Sequence, residues 1–132
     1  MSEAEVDAVA GALRDDAMPG SAYSLIHILG RAQAVRHREL VAGFLQSPGD
    51  PDLARIALKS LCSYWGLTAE YLPQVIEFVR GVEWDEEPCS VRPIAMSVLG
   101  AHLTDHPDPA LTRLLLDVAA ESGSAGSEGD RR

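Results

Sequence analysis

Apolar residues recur at steps of three and four along most of the chain, the spacing of a single buried helix face. The clearest run is 90–100, where Val91, Ile94, Ala95, Val98 and Leu99 share one side. Ser90 is expected to cap this helix, and Pro93 falls in the first turn, where a missing N–H costs little. The pattern recurs twice upstream. Leu53, Ile56, Ala57, Leu61 and Cys62 match Val91, Ile94, Ala95, Leu99 and Gly100, and Leu25, Leu29 and Gly30 match Ala95, Leu99 and Gly100. The offsets are 32 residues (Gly30 to Cys62) and 38 residues (Cys62 to Gly100). The last matched position is small each time, which predicts close helix approach there. A second apolar stripe follows each first one: Val41, Phe44 and Leu45; then Leu72, Val75, Ile76 and Val79; then Leu111, Leu114, Leu115 and Val118. Neither helix of such a pair can bury its stripe alone, so periods of this length imply stacked hairpins sharing one core.

The pattern predicts seven helices, over 3–15, 21–32, 35–46, 51–65, 70–80, 90–104 and 109–120, and no strand. The first carries Val6, Val9, Ala10 and Leu13 on one stripe, with Glu3, Glu5 and Asp7 at its electropositive N-terminus. It has no partner before it and is expected to cap the open end of the stack. Met18-Pro19-Gly20 and 47–51 break the chain, and Asp50-Pro51 and Asp108-Pro109 are helix-start signals. Ala32-Gln33-Ala34 must turn although it holds neither Gly nor Pro. Residues 82–88 form the longest link between hairpins. Beyond Glu121 the chain is Ser, Gly and charge with Ala125 its only apolar residue, which predicts a disordered tail over 121–132 after a single domain over 1–120.

Val91-Arg92, Ala95, Leu99 and Gly100 resemble the first helix of a HEAT repeat, and Asp108-Pro109-Ala110-Leu111 with Leu114 and Leu115 resembles the start of its second. The resemblance covers about 21–120 as three repeats. Its Val-Arg pair stands only in the third; Leu53-Ala54 and Ser21-Ala22 take that place in the others. It implies an all-α fold, a short α-solenoid of three hairpins with an N-terminal cap, and second helices lining the concave, ligand-facing side.

Charge narrows the partners. Net charge is −9 with a pI near 4.7, which opposes a nucleic acid or an anionic lipid surface as the main partner, since both require a positive face. The acids gather at 3–16 and 83–87, while Arg31, Arg36 and Arg38 stand close together. The acidic N-terminus lacks the apolar region of a signal peptide, and no apolar run approaches membrane-span length, so a cytoplasmic location is expected. Cys62 and Cys89 are expected to remain unpaired, because the repeat alignment holds them about 16 Å apart at 1.5 Å rise per residue. Arg supplies ten of the eleven basic residues, a composition that suggests a GC-rich bacterial genome.

Chemistry is sparse. No nucleophile elbow, phosphate loop or dinucleotide fingerprint is present, so no enzyme and no cofactor are expected. Cys62 occupies a packing position, and burial there leaves a thiol inert. His102 and His106 are four apart, the spacing of helical zinc ligands. Pro107 is expected to fray the helix before His106, so no metal is expected. His27 and His37 read as packed and surface residues. Two binding candidates remain. One is the acidic loop Glu83, Trp84, Asp85, Glu86 and Glu87, with Trp84 as an anchor and the acids steering a basic partner. The other is the face of the second helices that the core does not use, the concave side under the resemblance, with Tyr71, Gln74, Glu77, Phe78 and Arg113. The expected function is non-catalytic protein binding, with an immunity-type toxin inhibitor as one form. The alternative is an accessory subunit or enzyme of lyase or repair type, whose pocket would be ringed by His37, Glu70 or Glu77.

Overall fold

The computed structural model describes residues 2–15, 21–47, 49–85 and 91–126, and no side chain beyond Glu121. Those residues form seven α-helices and no strand: α1 (Glu3–Asp15), α2 (Ala22–Arg31), α3 (Arg38–Ala42), α4 (Pro51–Leu58), α5 (Leu72–Arg80), α6 (Arg92–Asp105) and α7 (Pro109–Gly126). A 3-10 turn, Val35–His37, leads into α3, and a π-helical segment, Lys59–Tyr64, continues α4. The expected break at Met18-Pro19-Gly20, the Ser90 cap and Cys89 lie outside the described residues.

Packing follows the repeated stripe. α2 lies against α1, α4 and the π segment; α4 and the π segment lie against α6; α5 packs on α6 and α7. Leu29, Leu61 and Leu99, matched in the sequence, are all fully buried. The central strut is buried over most of its circumference, through Ile56, Ala57, Leu58, Ser60, Leu61 and Cys62, as a helix with neighbours on several sides requires. Close approach occurs where the first small residue stands. A Cβ on Gly30 would meet Ser60 Oγ and lie 2.7 Å from Tyr64 Cδ2. Gly100 faces only an ordinary contact, with Leu115. Trp65 donates from Nε1 to the Gly30 carbonyl (3.2 Å), tying the end of the π segment to α2.

The turn expected after α2 is present, and two helix ends, those of α3 and α7, differ from expectation. α2 ends in a Schellman motif. Gln33 takes a positive φ of 57°, its N–H donates to Gly30 O (3.2 Å), and Ala34 N–H donates to Leu29 O (3.2 Å). α3 stops at Ala42, short of the expected 46. At Gly43 the backbone loses helix propensity, and Phe44 and Leu45 donate to Val41 and Ala42 in tighter turns. α7 runs past 120 to Gly126, because Ala119, Ala120 and Glu121 are strong helix formers.

α1 is held by charge as well as by Val6, Ala10 and Leu13. Arg36 Nη2 donates to Asp7 Oδ1 (2.8 Å) and to Glu3 O (3.2 Å), and His37 Nε2 lies 2.9 Å from the same Asp7 oxygen. The hydrogen bond from Arg36, then that from His37, lowers the Asp7 carboxyl below its ordinary 3.8. A depressed carboxyl contributes stability above its unfolded value and loses it as pH falls through the folded one. Amide exchange in α1 is therefore expected to accelerate before that of the other helices as pH drops below 4, and Asp7→Asn should show that faster exchange already at neutral pH. Uniform protection of α1 and α6 down the acid range would refute the clasp.

Candidate interaction surface

The link after α5 is stitched at both ends. Gly81, at a φ of +101°, closes α5. Arg92 reaches back from α6 and donates from Nε to Val79 O (2.9 Å), satisfying one carbonyl at the α5 C-terminus. Asp85 works in the opposite direction. Its carboxylate accepts from Val91 N–H (3.2 Å to each oxygen) and Arg92 N–H (3.0 Å). It therefore caps α6 from six residues upstream. Pro93 contributes no N–H, so Asp85 satisfies two of the three donors, those of Val91, Arg92 and Ile94, that precede the first intrahelical bond.

This placement divides the expected acidic loop. Glu83 is exposed, whereas Asp85 is only 8% exposed and turned inward. Asp85 is thus a structural residue and not a steering charge. Glu86 and Glu87 lie outside the described residues. Trp84 is half-buried, with its ring edge-to-face on Phe78 at 5.9 Å between centroids and 82° between planes. Phe78 itself is 1% exposed, which removes it from the expected contact face. α5 packs on both α6 and α7, so it buries a wider arc than the Leu72, Val75, Ile76 and Val79 stripe implies.

The other candidates separate into two places. Near the N-terminus of α5, Tyr71 is partly buried and Arg38 Nε donates to Glu70 Oε2 (3.2 Å), joining α3 to the start of α5. Burial, with the Glu70 carboxylate adding to it, raises the Tyr71 hydroxyl above its ordinary value, so the phenol is neutral at physiological pH and able to donate. One turn on, Gln74 Nε2 donates to Glu77 Oε1 (2.6 Å). On α7, Arg113 is exposed and paired with Asp117 (3.3 Å), with Leu116 beside it 60% exposed. Among the described residues, Arg113 pairs with Asp117 and not with the α5 group. The sequence reading missed the Arg38–Glu70 bridge. Its signal was present, since the two residues are separated by the 32-residue offset of the stripe.

The setting of Cys62 disfavours its thiolate. It is a free, buried thiol, and burial pushes it up to about 11, against a small lowering by a hydrogen bond with Thr68. No helix among the described residues is long and apolar enough to cross a membrane. No protein-family model matches the chain, and no curated protein or solved structure matches it.

Proposed function

We propose that the chain is a non-catalytic protein-binding module built as a short, HEAT-like α-solenoid, with α1 capping the stack. Support for the stacking comes from two contacts at the repeat offset. Arg38 meets Glu70, and Arg55 donates to the Tyr23 hydroxyl (3.0 Å) while its guanidinium lies 5.6 Å from that ring's centroid. Both pairs are 32 residues apart. In a stack, equivalent positions of adjacent repeats are neighbours.

The observation that carries the binding reading is the row formed by Arg38, Glu70, Tyr71, Gln74 and Glu77. It is a preformed polar-aromatic surface, already cross-linked between hairpins, so little ordering entropy remains for a partner to supply. Exposed Glu83 and the half-buried edge of Trp84 stand beyond the far end of α5. The net charge of −9 favours a partner with a basic face, as an inhibitor that occludes a cationic protein would require. The hollows beside His27 and at the end of α6 are lined by none of His37, Glu70 and Glu77, so they lend the lyase-like alternative no support.

Cross-linking capture from the native lysate, followed by mass spectrometry, tests this with three baits. Wild type is expected to retain a basic protein. Glu77→Lys with Glu83→Lys should slow its association and flatten the salt dependence. Trp84→Ala should raise its dissociation rate, at a stability cost of about 1 kcal/mol from the lost Phe78 contact. Equal capture by wild type and all variants, counted per folded molecule, would place the site elsewhere.

A further inference from the structure

We propose that His102 and His106 form a two-histidine chelate for a divalent transition-metal ion at the C-terminal end of α6. The expected fraying does not separate them. α6 continues to Asp105, and the His106 N–H still donates to His102 O (2.9 Å), so the one-turn spacing carries through to His106. The two rings stand with centroids 4.7 Å apart and planes inclined by 30°.

That separation fits a shared ion. With metal–nitrogen bonds of about 2.0–2.1 Å, each ring centroid lies roughly 3.2 Å from the metal, and two adjacent ligands then hold their centroids roughly 4.5–5.2 Å apart. Among the described residues neither ring makes a hydrogen bond to protein, so the nitrogen lone pairs are not committed elsewhere. The surroundings favour a cation. The carbonyl end of a helix carries partial negative charge, Asp105 is exposed beside the pair, and the whole chain is acidic. His102, Asp105 and His106 also line a hollow of about 260 Å³ with Gly66, Thr68, Ala69 and Ala101, which has room for the water ligands of a bound ion.

The donor set fixes the class of ion. No group of three His, Cys, Asp or Glu converges to hold a metal among the described residues, so the protein supplies two imidazoles and solvent completes the shell. Imidazole suits copper, nickel and zinc rather than magnesium or calcium, with copper bound most tightly of the three. Two ligands give an affinity on the order of micromolar, far weaker than a closed four-ligand site.

The test uses the full chain after chelator treatment, titrated separately with Cu²⁺, Zn²⁺ and Mg²⁺ by calorimetry, with proton–nitrogen NMR spectra recorded during the Zn²⁺ series. Binding of Cu²⁺ tighter than Zn²⁺, no response to Mg²⁺, and Zn²⁺-induced shifts confined to the neighbourhood of 102–106 are expected. Both His102→Ala and His106→Ala lie at solvent-accessible positions, and each should weaken Zn²⁺ binding roughly tenfold or more by turning a chelate into a single ligand. The wild-type NMR map decides the matter even if a variant misfolds. Shifts centred on His27, His37 or the acidic segments, unchanged affinity in both variants, or no Zn²⁺ binding below millimolar concentration would each overturn the proposal.

Discussion

Replacing Leu61 by alanine is expected to lower the unfolding free energy by about 2–5 kcal/mol, in the upper part of that range. Leu61 is fully buried in the π segment, which contacts α2 on one side and α6 on another. A cavity opened there is walled by three struts fixed by their own packing, and a site that cannot collapse incurs the full cavity cost. Since domains of this size are stable by only about 5–15 kcal/mol, the loss is a large share of the total. Denaturant melts should show a lower midpoint at an unchanged slope. Leu116→Ala is the contrasting case. Leu116 is 60% exposed, so its truncation should stay within roughly 0.5 kcal/mol. A loss below about 1 kcal/mol for Leu61→Ala would mean the repeated stripe does not mark the core.

The stripe made the helices legible, because apolar spacing survives in any helix that packs on one side. It could not show how each helix ends or how far its buried arc extends. The turn after α2 rests on Gln33 at positive φ, a position usually taken by glycine, so no residue type announces it. The π segment is silent for another reason. A change in hydrogen-bond register, such as Trp65 N–H donating to Ser60 O, leaves the count of apolar residues untouched. Phe78 sits off the α5 stripe and is nevertheless buried, because α5 has two neighbours and the stripe predicts one. The close approach at Gly30 was legible, since only a residue without a side chain fits against Ser60 and Tyr64. Asp85 was not. Within a run of carboxylates, composition describes solvated charge, whereas the backbone turns this one side chain toward two amides six and seven residues on.

Asp85→Ala is therefore expected to destabilise the protein by about 1–3 kcal/mol, the cost of leaving buried N–H groups without an acceptor. The two amides at risk are those of Val91, fully buried, and Arg92. The unpaired donors then sit in the first turn of α6, where no intrahelical carbonyl can accept from them. Loss of a helix cap alone costs roughly 0.5–2 kcal/mol, and burial of the Val91 amide adds to it. Asp85→Asn keeps an acceptor oxygen and should recover part of the loss, whereas Glu83→Ala, two residues away and exposed, should change stability by no more than roughly 0.5 kcal/mol. Amide exchange locates the effect: in Asp85→Ala the first turn of α6 should open well before the core of α4. If Asp85→Ala and Glu83→Ala instead gave equal, small losses and equal changes in partner association, Asp85 would belong with the steering acids after all, and the structural role assigned to it from its hydrogen bonds would be wrong.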